Sequence, residues 1–95
     1  MALTYSVPLS SLMRLSSNDY PERQVSDLHR GLYDYPFDDL VEDVRRNGIK
    51  EPLRVVNNRL VDGHHRIIVA KELGFDEIQI TYSGYLDKMP IKNDL

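Results

Sequence analysis

The residues best suited to chemistry form one short run, Asp62-Gly63-His64-His65-Arg66, at the start of a predicted helix. The first turn of a helix carries unpaired backbone N–H groups and the positive end of the helix dipole, and both attract anions. Gly63 would let a ligand approach the backbone closely, and the two histidines and Arg66 would add hydrogen-bond donors. The run therefore predicts a phosphate-binding site. A plain turn and helix cap at Asp62-Gly63 explains the same residues about equally well.

The two adjacent histidines admit other interpretations. One of them could be buried and satisfied by a backbone carbonyl, and Arg66 could pair with Asp62 rather than with a phosphate. Neighbouring residues on a helix point about 100° apart, whereas zinc-binding histidines on a helix usually lie four residues apart on one face. His29 could complete a zinc site only by an accident of the tertiary fold, so zinc binding is disfavoured.

Two carboxylates, those of Glu51 and Asp62, could work together with this run. Mg²⁺ is usually held by one or two carboxylates and by the phosphates of its nucleotide. Glu51 and Asp62 are therefore the candidate Mg²⁺ ligands, and together with His65 they form the candidate catalytic set. Either His64 or His65 could act as a general base. A solvated role for Glu51 and a capping role for Asp62 stay open as alternatives.

The elements that position the run are visible in the hydrophobic pattern. Alternating apolar residues at 3–9 predict a first strand, which Pro8 places at a sheet edge because proline donates no N–H. Apolar residues at i, i+3, i+4 and i+7 predict a helix that starts near Pro36 and ends at the Asn47-Gly48 pair. Residues 24–33 show a weaker helical spacing and predict a further helix.

The second half of the chain predicts a hairpin, a helix and a strand. The hairpin strands cover 53–56 and 59–62, the helix covers 64–73, and the last strand covers 77–82. The order β, α, α, β-hairpin, α, β is typical of a small α+β domain. We expect a mixed sheet of about four strands with two to three helices.

Length and composition narrow the class of protein. The 95 residues suffice for one small domain, which we expect at 1–84, followed by a polar C-terminal tail at 85–95. The absence of cysteine excludes disulfide scaffolds, thiolate metal sites and cysteine nucleophiles. A net charge of −3 argues against a basic surface for nucleic acid. No apolar run reaches the ~18 residues that span a bilayer and no secretory signal is visible, so we expect a cytoplasmic protein without membrane association.

Three ordered segments resemble the ParB/sulfiredoxin superfamily. They are Asn47-Gly48-Ile49-Lys50-Glu51-Pro52-Leu53-Arg54-Val55, Leu60-Val61-Asp62-Gly63-His64-His65-Arg66, and Ala70-Lys71-Glu72-Leu73-Gly74 before a closing strand. The opening Val7-Pro8-Leu9-Ser10-Ser11-Leu12 is similar to the first strand of the family, and Tyr20-Pro21-Glu22-Arg23 loosely resembles its Asn-Pro-Arg loop. The resemblance spans residues 5–82 and implies the ParB/sulfiredoxin-like fold.

The resemblance also implies a ligand and its contacts. Members of the superfamily bind nucleotide phosphates through a glycine-led box at a helix start, which Gly63, His64, His65 and Arg66 match. Arg23 would match the arginine of the loop, and CTP, ATP or ADP with Mg²⁺ is the implied ligand. The box resembles phosphotransferase-like and phage- or plasmid-borne members more than partition proteins. Partition proteins follow this domain with a DNA-reading module, and because the sequence runs only about a dozen residues past the last predicted strand, we expect a small stand-alone member without that module. Sulfinic acid reductases of the family need a cysteine at position 64, which excludes that activity here.

Three hypotheses about function follow. The first is a nucleotide- or phosphate-binding domain, with NTP hydrolysis or phosphotransfer as its chemistry. The second is a metal-dependent DNA nuclease, which the acidic balance ranks lower. The third is a non-catalytic protein-binding module, an inhibitor or an adaptor. Its interface could use the tyrosines at positions 20, 33, 35, 82 and 85, although half-buried core is the favoured interpretation of these residues. A protein partner or a homodimer is left open.

Overall fold

A mixed sheet of five strands carries two α-helices in the computed structural model, which describes residues 3–90. The strands are β1 (Leu3–Pro8), β2 (Ser16–Ser17), β3 (Leu53–Val56), β4 (Arg59–Asp62) and β5 (Glu77–Ser83). The helices are α1 (Phe37–Asn47) and α2 (His64–Leu73). Neither described helix has the length and apolar character required to span a lipid bilayer.

The strands are ordered β1-β5-β3-β4-β2 across the sheet. β1 pairs antiparallel with β5, from Leu3 opposite Tyr82 to Pro8 opposite Glu77. β3 runs parallel to β5 and forms the predicted hairpin with β4. β1 is therefore an edge strand of the sheet. Pro8 predicts this position, because proline has no N–H to donate to a strand on its other side.

One hydrophobic core joins the sheet to both helices. α1 is amphipathic and turns Phe37 and Val44 inward. α2 instead buries four consecutive residues, Ile67–Ala70. A continuous apolar run cannot lie on a single helix face, so α2 is covered on more than one side, and α1 supplies part of that cover. α2 is held in this way within the core, in contact with α1.

The helix predicted at residues 24–33 is replaced by two short 3-10 turns, Val25–Asp27 and Arg30–Leu32. Between them Leu28 adopts an extended backbone with φ −75° and ψ 137°. The Lys71 ammonium donates hydrogen bonds to the carbonyls of Val25, Ser26 and Leu28, at 3.3, 3.1 and 2.8 Å. A side chain of α2 thus satisfies carbonyls that a helix would have paired internally.

The sheet also has one strand more than the sequence predicts. Ser16 and Ser17 lie in a segment predicted as a loop, but they pair in parallel with Arg59 and Leu60. Two polar residues show no alternation that a pattern could detect. Of the tail predicted at 85–95, the structure describes residues 85–90, where a 3-10 turn forms at Leu86–Lys88. Residues 91–95 lie outside the described range.

Candidate functional site

A cleft of about 410 Å³ opens beside the N-terminus of α2, next to the segment that links α1 to β3. It brings together all but one of the predicted site residues. Those that line it are Glu51, Asp62, Gly63, His64, His65 and Arg66. The remaining one, Arg23, is not among the described residues that line the cleft, and its guanidinium carbon lies 6.0 Å from the centroid of the Tyr20 ring.

Gly63 makes the turn from β4 into α2 and allows the cleft to reach the helix backbone. Its φ of 105° lies in the left-handed region that residues with a Cβ rarely adopt. A Cβ here would also overlap the side chain of Leu53. The first helical N–H groups follow at once, and they have no partner within the helix. Such N–H groups can bind an anion, and the anion site at these residues stays a prediction.

His64 is buried, and both of its ring nitrogens face polar partners. Its Nε2 lies 3.0 Å from the Ser17 hydroxyl oxygen, which itself accepts hydrogen bonds from the backbone N–H groups of Asp19 and Tyr20. The Ser17 proton therefore points to Nε2, so Nε2 accepts and Nδ1 carries the ring proton. Nδ1 lies 3.3 Å from Asp19 Oδ2. Both ring nitrogens of His64 are thus engaged by residues of the loop and of β2, which fixes the orientation of its ring at the start of α2.

His65 is only partly buried and is surrounded by aromatic rings instead. Tyr35 stacks on it with ring centroids 3.8 Å apart and an interplanar angle of 29°. Tyr33 and Phe37 approach it edge to face, at 4.8 and 5.4 Å. No described residue hydrogen-bonds its ring nitrogens, and residues 3–90 contain no buried side-chain nitrogen or oxygen without a partner. Those nitrogens are therefore accessible to solvent, and His65 lines the cleft.

Burial makes both imidazoles favour the neutral form. It lowers the pKa of His64 below the usual histidine value, and the nearby carboxylates of Asp19 and Asp62 offset only part of this effect. Burial likewise lowers the pKa of His65, with Asp19 opposing the shift and the Arg66 charge adding to it. A neutral His65 can accept a proton or a hydrogen bond from a ligand near neutral pH.

Arg66 reaches across the cleft wall to the segment before β3. Its Nη1 donates to the carbonyl oxygens of Glu51 and Pro52, at 2.5 and 3.0 Å. Its Nη2 lies 3.5 Å from Asp62 Oδ2, which is the pairing that the sequence offered as an alternative to phosphate contact. Arg66 thus fixes the backbone that carries Glu51 and also adds positive charge to the wall.

Carboxylates outnumber cations along the cleft. The carboxylates that line it are those of Asp19, Asp43, Glu51 and Asp62, and the cations are Lys50 and Arg66. Within residues 3–90, no three His, Asp or Glu side chains lie close enough together to form a metal site by themselves. A metal ion here would need oxygen ligands from a bound phosphate as well. The Mg²⁺ roles of Glu51 and Asp62 stay predictions.

Asp19, Tyr35 and Lys50 are among the residues that line the cleft but were not predicted as site residues. Asp19 Oδ2 accepts a 2.9 Å hydrogen bond from the Tyr33 hydroxyl. Burial, followed by this hydrogen bond, raises the pKa of Tyr33, so the phenol keeps its proton and donates it. The sequence signals for these residues are weak. Asp19 is a carboxylate in a predicted loop, Tyr35 belongs to an aromatic run before α1, and Lys50 is a lysine next to Glu51.

Comparison with solved structures shows that the chain has the ParB/sulfiredoxin-like fold. A Pnob8-like ParB-N domain matches 90% of the chain with a TM-score of 0.63 and 22% identity. The C-terminally truncated chromosome-partitioning protein ParB from Caulobacter crescentus, complexed with CTP-γ-S, matches 95% with a TM-score of 0.61 and 18% identity. Sulfiredoxin from Arabidopsis thaliana matches 87% with a TM-score of 0.60 and 14% identity.

The similarity covers different shares of these proteins. The chain spans 31% of the Pnob8-like structure, 49% of the Caulobacter structure and 86% of the sulfiredoxin structure. No protein-family model matches the sequence, and no curated protein matches it. The predicted α+β class and superfamily fold are thus confirmed, with five strands instead of about four.

Proposed function

We propose that the protein binds a nucleotide, with its phosphates at the N-terminus of α2. The observation that carries this proposal is the cleft itself, in which free helix N–H groups, the open imidazole of His65 and the Lys50 side chain line one volume. A ParB with the same fold was solved with CTP-γ-S, which supports a nucleotide as the phosphate-bearing ligand.

The two histidines take different roles in this proposal. His64 is occupied by Ser17 and Asp19, so it positions the helix start and offers the ligand mainly its backbone. His65 offers its ring nitrogens, and Arg66 offers charge while it holds the Glu51–Pro52 backbone in place. Arg23 has no part, because it does not line the cleft.

The charge of the cleft supports a magnesium complex as the ligand. A nucleoside triphosphate carries several negative charges, and four carboxylates but only two cations are among the residues that line the cleft. This repulsion would oppose a free polyphosphate. One or two of these carboxylates would hold Mg²⁺, whose positive charge would offset the repulsion. Glu51 and Asp62 line the same cleft and are the proposed carboxylates.

Hydrolysis or phosphotransfer would be a further property of the same site. The neutral His65 would accept the proton of the attacking water or hydroxyl, while Glu51 or Asp62 would orient the metal. Such a step requires in-line attack on the terminal phosphorus with the remaining nucleotide as the leaving group. Release of inorganic phosphate from ATP or CTP, lost in His65→Ala, would support this chemistry.

Calorimetric titration tests the binding proposal directly. CTP, ATP and ADP, each with Mg²⁺, would be titrated into the wild type and His65→Ala. We expect binding of at least one nucleotide and a loss of about tenfold in the variant, which corresponds to about 1.4 kcal/mol. Arg23→Ala is the matched control and should bind as the wild type does. Absence of heat with all three nucleotides would contradict the proposal.

A further inference from the structure

The cleft is lined by apolar as well as charged residues, which we call its apolar side and its charged side. Leu40, Val44 and Ile49 contribute hydrophobic surface to it, and Tyr35 contributes an aromatic ring. The charged side includes the start of α2 and the Lys50–Glu51 segment. A ligand that fills both sides needs an anionic part and a flat or apolar part. Inorganic phosphate alone would leave the apolar side uncovered.

Two aromatic neighbours hold the ring of Tyr35, although much of the residue is exposed. One face of its ring is stacked on His65, and the Phe37 ring meets it at an angle of 69° with centroids 5.1 Å apart. Pro36 follows directly, which restricts the backbone on that side. The residue is nevertheless 38% exposed. Ring surface not covered by His65 or Phe37 is therefore available along the cleft, in an orientation that is already fixed.

We propose that Tyr35 is a stacking platform for the base of a bound nucleotide. The base would lie against the exposed surface of Tyr35 while the phosphates reach the start of α2. This inference rests on the proposed function and extends it, because it assigns the base to a particular wall. Aromatic stacking tolerates any of the bases, because each has a π-face. A rigid platform also reduces the entropy lost on binding.

The two sides of the cleft can be tested separately with two kinds of probe. Inorganic tripolyphosphate with Mg²⁺ has the anionic part alone, whereas CTP and ATP with Mg²⁺ also have a base. In the wild type we expect both nucleotides to bind about tenfold more tightly than tripolyphosphate. Tyr35→Ala should remove most of this advantage and leave tripolyphosphate affinity within about twofold of the wild type.

Two variants serve as controls for the titrations. Tyr35→Phe keeps the ring and should keep nucleotide affinity within about twofold. Tyr85→Ala removes an exposed tyrosine that does not line the cleft, and it should leave all three probes unaffected. Unchanged nucleotide affinity in Tyr35→Ala, or an equal loss for tripolyphosphate, would overturn the platform.

A measurement on the wild type does not depend on whether a variant folds. NMR of the nucleotide complex should show the base protons shifted upfield by the Tyr35 ring current, with nuclear Overhauser contacts to the Tyr35 ring. Their absence in a saturated complex would overturn the proposal. Equal affinity for tripolyphosphate and nucleotides would leave the phosphate site in place and remove the platform. Failure of every probe to bind would contradict the phosphate site and the platform together.

Discussion

The Ser17 hydroxyl lies 3.0 Å from Nε2 of His64, although the two residues are 47 positions apart in the sequence. This contact joins the short strand β2 to the first residue of α2. The contact engages His64, whereas the neighbouring His65 packs against aromatic rings and lines the cleft. Two adjacent residues of the same type thus have different surroundings, and the proposed ligand-binding role falls to His65.

Replacing Ser17 by alanine should destabilise the protein by about 1–3 kcal/mol. The change leaves His64 Nε2 and the N–H groups of Asp19 and Tyr20 without their common partner in a buried place. Urea unfolding would measure the loss. Ser10→Ala is the matched control because Ser10 is exposed, and it should change stability by less than about 0.5 kcal/mol. Equal effects of the two substitutions would contradict the role of Ser17.

Gly63→Ala should destabilise the protein much more than Gly74→Ala does. Both glycines have positive φ, 105° and 75°, so both substitutions carry the backbone strain of about 1 kcal/mol. Only at Gly63 would the new Cβ also meet a neighbour, the buried Leu53 side chain. We expect a further loss of about 1–3 kcal/mol there from overpacking. Thermal unfolding of the two variants measures the difference, and similar melting temperatures would contradict this packing argument.

Stability should fall as the pH drops below the normal histidine range. The pKa of His64 is lowered in the folded state, so protons bind the unfolded chain more readily and acid favours unfolding. The stabilisation is complete above the unfolded pKa of about 6.5 and is lost as the pH falls through the lower folded value. Comparing urea unfolding at about pH 7.5 and about pH 5.5 avoids most carboxylate titration.

His64→Gln separates this contribution from that of His65. The pKa of His65 is also lowered by burial, so both proteins should lose some stability between the two pH values. The wild type should lose more, because only the wild type has a proton-binding group at position 64. Equal losses in the wild type and in His64→Gln would show that His64 does not contribute.

Removal of Mg²⁺ should weaken nucleotide binding by at least about tenfold. Four carboxylates line the cleft against two cations, so the free polyphosphate meets net repulsion. Titration of CTP or ATP in the presence of EDTA measures the effect. A double change, Glu51→Gln with Asp62→Asn, should reduce the dependence on Mg²⁺ by removing both proposed ligands. Binding that is equally tight with and without the metal would contradict its role.

The sequence predicts the site best where the pattern is local. A glycine between a strand and a helix, followed by His64, His65 and Arg66, is sufficient to predict an anion site at a helix start. The same local pattern leaves the two histidines indistinguishable. Their roles depend on Ser17, Asp19 and Tyr35, and no spacing within the helix could indicate those partners.

The fold prediction differs from the structure for the same reason. α1, α2 and the hairpin have strong periodic patterns and appear as predicted. The segment around Val25–Asp27 is decided instead by Lys71, whose ammonium takes three of its carbonyl oxygens across a sequence separation of more than 40 residues. The short strand Ser16–Ser17 forms because it pairs with the free edge of β4. Both outcomes are set by tertiary contacts.

Amide NMR can show whether phosphates bind at the start of α2. Mg²⁺–CTP and Mg²⁺–ATP would be titrated while the backbone amide signals are followed. We expect the largest shifts on Gly63, His64, His65 and Arg66, because their N–H groups would face the phosphates. The amide signals of β1 at the far edge of the sheet should hardly move. Saturable binding of both nucleotides that leaves the 63–66 amides unshifted would show that the phosphates bind elsewhere.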